Sequence, residues 1–295
     1  MSITDLLSSA KSGLNTYCKN CPWNPNNFKE NIAFGVSCKK HGVDWSKPVQ
    51  AVSMLIAQDP AGTTPSKTGN LCGFCNIQNP TDKSAQQGYA IWKAAVSLSE
   101  SSQGATRYMN NHYWTNAIMH GVQIDESHET NLSYSIKYEA ARTCCENILF
   151  EQINLLSPKI VIVTGKVASK SLFDLGLITI SWDVFKNDFS RQVYVEQTTL
   201  PSGKNVTIYC TFHGSARAVN TQASKVYTEE TKKLLSHKIE LLHDPLVAQR
   251  FLRQYPGITP HEKGMRVLLL HWLDIGEDIR SANTKYGSST NNGEK

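Results

Sequence analysis

Three polar residues with complementary chemistry stand close to the ends of apolar segments in this sequence: Asp59, Asn116 and His213. An acid, an amide and an imidazole that converge on one pocket suit the cleavage of a base from its sugar. The carboxylate would stabilise an oxocarbenium-like sugar and orient a water molecule. The imidazole would stabilise negative charge on the departing base, and the amide would read the edge of a pyrimidine.

The elements that would position these residues alternate between strand and helix. Apolar runs bounded by turn formers predict strands, and apolar residues at helical spacing predict helices. The predicted strands are 52–57, 112–119, 159–165 and 204–214, and the predicted helices are 3–16, 86–99, 137–156, 167–176, 221–243 and 260–282. This order indicates an α/β fold, a three-layer α/β/α sandwich with a mainly parallel central sheet. Polar residues at the strand ends should then gather in one crevice.

The composition is ordinary for a soluble globular protein, and its charge permits a polyanionic partner without requiring one. The 295 residues carry a net charge of +5, with 40% hydrophobic and 19% charged residues, and the pI is about 8.7. We find no signal peptide and no membrane-spanning run, so a cytoplasmic protein is expected. Eight cysteines in that compartment favour reduced thiols or metal ligands over disulfides.

Five motifs occur in the order and spacing of a known enzyme family: CKNCP, LIAQDP, TNAIMH, CCENILFEQINLLSPKIVIVTGKVASKSLF and TFHGSAR. Over roughly residues 10–220 the sequence resembles the uracil-DNA glycosylase superfamily, and it is most similar to the iron–sulfur members called family 4. The resemblance implies a monofunctional glycosylase, which flips a pyrimidine out of DNA and hydrolyses its N-glycosidic bond to leave an abasic site. DNA is therefore the expected partner.

The resemblance also implies individual roles. Asp59 matches the catalytic acid of the first motif, an acid that family 4 usually lacks, and His213 matches the catalytic histidine of the second motif. Asn116 matches the asparagine that reads the base. Ser215 matches a serine that contacts a DNA phosphate, and Arg217 occupies the position whose side chain fills the gap left by the flipped base. A guanidinium group can stack on bases and contact phosphates.

The residues expected around the base depart from the family pattern. Gln58 and Ala61 belong to the expected base-binding set, and Ala61 stands where a tyrosine normally blocks pyrimidines that carry a 5-substituent. Phe74 is the candidate for stacking on the base, although strict register would place Cys72 there. The small wall predicts uracil or a 5-modified pyrimidine as the substrate, in DNA repair or in defence against phages with modified DNA. An amide can present either end, so Asn116 alone does not separate uracil from cytosine.

The cysteines suggest a structural metal. By resemblance, the ligands of a [4Fe–4S] cluster would be Cys18, Cys21, His120 and Cys145, with Cys38 as an alternative source of the fourth ligand. A zinc site competes with this interpretation, because Cys18 and Cys21 together with Cys38 and His41 have the spacing of a zinc knuckle. The remaining cysteines, Cys72, Cys75, Cys144 and Cys210, are interpreted as packing thiols.

The predicted domain organisation has three parts. Residues 1–225 form the glycosylase-like domain with its cysteine-rich N-terminal segment, residues 226–282 form a helical extension, and residues 283–295 form a disordered tail. The extension either packs on the sheet or offers a further contact surface through Arg250, Arg253 and Arg266. A non-catalytic nucleic-acid-binding module with a zinc ribbon is the alternative function.

Overall fold

A five-stranded sheet forms the centre of the protein. The computed structural model describes residues 3, 5, 6, 51–58, 112–118, 134–242 and 245–287. The strands are β1 (Ser53–Ala57), β2 (His112–Asn116), β3 (Ile160–Thr164), β4 (Tyr194–Thr199) and β5 (Asn205–Thr211). They lie in the order β2-β1-β3-β5-β4. The first four strands of that order run parallel, and β4 pairs with β5 in the antiparallel direction. The predicted mainly parallel sheet is therefore confirmed.

Helices follow the strands along the chain. They are α1 (Tyr134–Leu156), α2 (Lys166–Asp174), α3 (Trp182–Phe185), α4 (Ala216–Thr221), α5 (Glu229–Glu240), α6 (Leu246–Gln254) and α7 (Pro260–Gly287), with 3-10 turns at Lys186–Asp188 and Ala223–Val226. Within the described part of the chain, no helix combines the length and the apolar character that crossing a membrane requires.

The helices cover both faces of the sheet. Gln152 of α1 accepts a hydrogen bond from the Tyr113 hydroxyl of β2 at 2.8 Å, and Asp278 of α7 accepts one from the Tyr209 hydroxyl of β5. The register aligns Tyr113 with Ile208, the neighbour of Tyr209. Because successive strand residues point to opposite faces, α1 and α7 lie on opposite sides of the sheet. The order of layers is therefore helix, sheet, helix.

Apolar packing on the central strand accounts for the core. Every residue of β3, Ile160–Thr164, is buried, as expected for a β-branched strand that helices cover on both faces. Helix α7 buries a continuous run, 267–273, against the sheet and against α4 and α5. The C-terminal helices are thus packed into the same core as the strands, and α7 continues to Gly287, into the segment predicted as a tail.

An ion-pair cluster joins α1 to α2. The guanidinium group of Arg142, whose side chain is only 3% exposed, contacts the carboxylates of Glu139, Glu146 and Asp174. Lys170 binds Glu139 and Asp174 as well. The hydrogen bond from Arg142 lowers the pKa of the Glu139 carboxyl to about 2. Loss of the guanidinium would remove the cation that Glu146 contacts, while Lys170 would still bind Glu139 and Asp174.

Several features differ from the sequence-based expectations, including the following two. The continuous helix predicted at 221–243 is wrong: a 3-10 turn ends at Val226, and α5 starts afresh after Thr228. The Thr228 side chain accepts the backbone N–H of Thr231 in a capping box, which defines a helix start. Strand β4 was not predicted; it is joined to β5 by a tight turn in which Gly203 has a φ of +76°.

Parts of the prediction lie outside the described residues. The helix predicted at 86–99 is one of them, and of the helix predicted at 3–16 only Ile3, Asp5 and Leu6 are described, all helical. The domain boundaries stay predictions.

Candidate active site

The carboxyl edge of the parallel strands collects the polar residues singled out by the sequence. Asn116 is the last residue of β2, and Gln58 follows β1; both are partly buried. The backbone N–H of Ile118 donates to the carbonyl oxygen of Gln58 at 2.9 Å, so the two segments stay paired beyond the strands. Asn116 therefore lies beside the segment that leads into Asp59, although Asp59 itself lies outside the described residues.

His213 stands at the same edge, two residues after β5 ends. The backbone N–H of Ser215 donates to Nδ1 of His213 at 3.1 Å. Because Nδ1 accepts this hydrogen bond, the neutral imidazole carries its proton on Nε2. The ring then offers an N–H donor, which can stabilise negative charge that develops on a neighbouring oxygen atom.

Asn116 ends β2 and His213 follows the end of β5, and these two strands are three positions apart in the sheet. Between β2 and β5 lie β1 and β3, and neighbouring strands are about 4.8 Å apart, so the two strand ends are separated by about 14 Å. Gln58 and Gly165, which directly follow β1 and β3, stand between them. The edge thus has an amide at one end, an imidazole at the other, and the approach to Asp59 next to the amide.

Gly165 is a site residue that sequence reasoning did not single out. It follows β3 with φ 88° and ψ 169°, a combination that is essentially restricted to glycine. Its N–H donates to the carbonyl oxygen of Thr211 at 2.8 Å. A Cβ atom at Gly165 would lie 3.2 Å from Cβ of His213. The absent side chain is therefore what lets the turn after β3 pack directly against the histidine.

Ser215 and Arg217 follow the histidine at the start of α4. The Ser215 hydroxyl caps this helix by accepting the N–H of Ala218 at 3.4 Å. Arg217 lies in the first turn, and its side chain is exposed. The structure brings both residues close to His213 along the chain, and Ser215 contacts the imidazole directly through its backbone.

A basic pair lies near the same edge and was not anticipated. Lys166, the first residue of α2, donates to Asp183 at 2.8 Å, and Lys186 donates to the same carboxylate at 2.6 Å. These two hydrogen bonds lower the pKa of the Asp183 carboxyl to about 2. The glycine directly after the clearest predicted strand, followed by a lysine, was the sequence signal for this corner.

One of the predicted metal ligands, Cys145, lies in the described part of the chain. Cys145 is buried in α1 and is not in a disulfide, whereas Cys18, Cys21, Cys38, His41 and His120 lie outside the described residues, as do Ala61 and Phe74. Among the described residues, no group of three or more histidine, cysteine or acidic side chains has the arrangement of a metal site. The metal therefore stays a prediction.

The fold and this edge define an α/β protein with a crevice at the carboxyl ends of its parallel strands, the usual place for a ligand in such sheets. The sequence matches the family model of the uracil DNA glycosylase superfamily over residues 78–237, more than half of the 295-residue chain. The chain belongs to this superfamily, whose members are DNA glycosylases and therefore hydrolases. The expected superfamily and glycosylase-like fold are thus confirmed, while the family 4 subtype stays a prediction. A comparison with curated proteins gives no match.

Proposed function

We propose that this protein flips uracil or a 5-modified pyrimidine out of DNA and hydrolyses its N-glycosidic bond. The observation that carries the proposal is the hydrogen bond from the Ser215 N–H to Nδ1 of His213, which places the proton of the neutral ring on Nε2. A donor fixed in this way, in a chain of the uracil DNA glycosylase superfamily, suits the stabilisation of a base leaving as an anion.

The proposed reaction divides the work between two side chains. The bond between the sugar C1′ and the base nitrogen breaks, and its electron pair leaves with the base. The Nε2–H of His213 donates to the base oxygen on which the negative charge gathers. The Asp59 carboxylate stabilises the positive sugar and accepts a proton from the water that attacks C1′. The base anion takes up one proton from solvent and Asp59 gives its proton back to solvent, so the products are an abasic site and the neutral base.

Asn116 would recognise the flipped base through its amide. Its place at the end of β2, about 14 Å across the sheet edge from the end of β5, supports a binding site with room for a pyrimidine between the amide and the imidazole. Gln58 follows the neighbouring strand, and Ala61 and Phe74 complete the proposed pocket. The small Ala61 wall supports substrates with a group at the 5-position, and hence a role in repair or in defence against modified phage DNA.

DNA would be held by groups that follow His213. Arg217 is exposed in the first turn of α4, where its guanidinium group can enter the space left by the base or contact a phosphate. The Ser215 hydroxyl caps α4 through its oxygen lone pair, so its own hydrogen is available to donate to a phosphate.

A structural [4Fe–4S] cluster is the proposed cofactor. Cys145 would be one ligand, with Cys18, Cys21 and His120 or Cys38 as the others, and zinc is the competing metal. Support comes from the buried Cys145 thiol, whose surroundings would shield a cluster from water. Metal analysis of the purified protein tests the proposal: iron that is lost in Cys145→Ser but kept in Cys210→Ser supports it, and zinc alone or no metal contradicts it.

The glycosylase proposal is tested with oligonucleotides that hold a single uracil, 5-hydroxymethyluracil or 5-hydroxymethylcytosine, in single and double strands. After incubation, alkali cleaves the strand wherever a base has been lost. We expect cleavage with at least one of these substrates, and a single-turnover rate that falls about 100-fold or more in His213→Ala. His237→Ala, an exposed position on α5, is the matched control and should cleave like the wild type.

A non-catalytic base-recognition module gives a different result. It would bind the same oligonucleotides, produce no abasic site with any of them, and bind equally well after Asp59→Ala. That outcome would contradict the proposed enzyme.

A further inference from the structure

Helix α7 lies beyond the part of the chain that matches the family model, which ends at residue 237. In the middle of its apolar face stands His271, which is fully buried. A buried polar ring is costly unless its nitrogens are hydrogen-bonded. Both nitrogens of His271 have hydrogen-bond partners. An apolar side chain at this position could not form either hydrogen bond.

The partners fix the protonation of His271. Nε2 lies 2.7 Å from the carbonyl oxygen of Phe189, which can only accept, so Nε2 carries the proton. Nδ1 lies 2.8 Å from the Thr211 hydroxyl. Because burial lowers the pKa of His271 to about 4, the ring is neutral at physiological pH. Nδ1 therefore accepts a hydrogen bond from the hydroxyl group of Thr211.

Thr211 connects this contact to the proposed active site. It is the last residue of β5, two positions before His213, and its carbonyl oxygen accepts the N–H of Gly165 at 2.8 Å. The ring of the intervening Phe212 stacks on His271, with centroids 6.1 Å apart, and meets Phe189 edge-on at 4.7 Å. The chain that delivers His213 is therefore held by α7 on one side and by the turn after β3 on the other.

We infer that His271 is a positioning residue for His213, and that α7 is consequently part of the base-cleaving apparatus of this protein. The inference rests on the proposed function. Through Thr211 and Phe212, His271 determines where β5 ends and in which direction His213 leaves it. A displacement of about 1 Å at a catalytic group can cost about 100-fold in rate, so a contact two residues away has a measurable effect on the chemistry.

The test removes the hydroxyl of Thr211 while retaining its shape. In Thr211→Val we expect single-turnover base release about tenfold slower, because a shift of His213 by a fraction of an ångström should cost less than the ~100-fold that about 1 Å can cost, with unchanged affinity for DNA. Thr211→Ser keeps the hydroxyl and is the matched control, expected to cleave like the wild type. His271→Asn, which can still accept from Thr211, should lose less activity than His271→Leu. The comparison of His271→Asn with His271→Leu tests the same inference if Thr211→Val does not fold.

A double-mutant cycle separates positioning from a general loss of structure. If Thr211 and His271 act through His213, then Thr211→Val should slow the residual cleavage of His213→Ala by less than twofold. An equal tenfold loss in both backgrounds, or no loss in either, would overturn the inference.

A second readout does not depend on activity. Nitrogen-15 NMR of labelled histidines should report the Nε2–H tautomer for neutral His213 in the wild type, and a mixture of tautomers in Thr211→Val. If the wild-type protein releases no base from any DNA, the proposed function fails. The spectrum still tests whether the contact between Thr211 and His271 positions His213. An unchanged His213 tautomer in both Thr211→Val and His271→Leu would contradict the positioning of His213 by His271.

Discussion

Gly165→Ala is the substitution that most sharply tests the packing around His213. The backbone at Gly165 has φ 88° and ψ 169°, where a side chain costs about 1–3 kcal/mol. The new Cβ would also lie 3.2 Å from Cβ of His213, closer than ordinary contact, so one of the two groups must move by a few tenths of an ångström. We expect a loss of about 1–3 kcal/mol in the free energy of unfolding and about tenfold slower base release.

Gly176→Ala is the matched control for this substitution. Gly176 also has a positive φ, +69°, but a Cβ atom there would meet nothing within 4 Å. It should therefore show backbone strain without slower chemistry. Urea denaturation measures the strain, and single-turnover cleavage at a temperature where both variants are folded measures the chemistry. Equal cleavage rates in Gly165→Ala and the wild type would refute the reasoning, as would an equal loss of rate in Gly176→Ala.

Three further predictions concern stability. Burial lowers the pKa of His112 to about 3 and that of His271 to about 4; below pH 6.5 the unfolded chain therefore binds protons that the folded state does not. As the pH is lowered from 6.5 to 4.5, the free energy of unfolding should fall by about 1.4 kcal/mol per pH unit for each histidine. In His271→Asn the dependence of this free energy on pH should be smaller by the share of one histidine. Urea denaturation at several pH values that gives the wild-type dependence would contradict this. Gly264→Ala would place a Cβ 2.2 Å from the carbonyl oxygen of Val219; we expect a loss of about 1–3 kcal/mol or more, and an unchanged midpoint of thermal unfolding would contradict the close packing of α7 on α4. Arg142→Met should cost about 1–3 kcal/mol because Glu146, whose side chain is 16% exposed, loses its cation, whereas Lys170 still binds Glu139 and Asp174; a loss below about 0.5 kcal/mol would show that the cluster is solvated like a surface pair.

The regular elements could be predicted from the sequence because their apolar patterns are strong. Strand β3, Ile160–Thr164, is a run of β-branched residues, which favours a strand. The apolar residues of α7 recur at helical spacing, which favours a helix. Strand β4, Tyr194–Thr199, alternates between partly buried and exposed residues, and its last four side chains are polar. It exists because it pairs with β5, and such pairing depends on tertiary contacts more than on local preference.

The candidate site could be predicted only in part, because some of its residues depend on tertiary contacts. Residue type and strand position pointed to Asn116 and His213, because polar groups at parallel strand ends share an edge. Gly165 and His271 act through conformation and contact, a positive φ in one case and a pair of buried hydrogen bonds in the other. Neither property is visible in a single sequence, where a glycine after a strand or a histidine within an apolar helix has many explanations.

The most direct test of the central claim is the detection of the free base itself. Mass spectrometry of the small molecules released from DNA that contains uracil or 5-hydroxymethylated pyrimidines would identify the product and the preferred base in one measurement. We expect release of an intact pyrimidine by the wild type, and a rate at least 100-fold lower in His213→Ala. No base released from any of these DNAs, or equal release by wild type and His213→Ala, would contradict it.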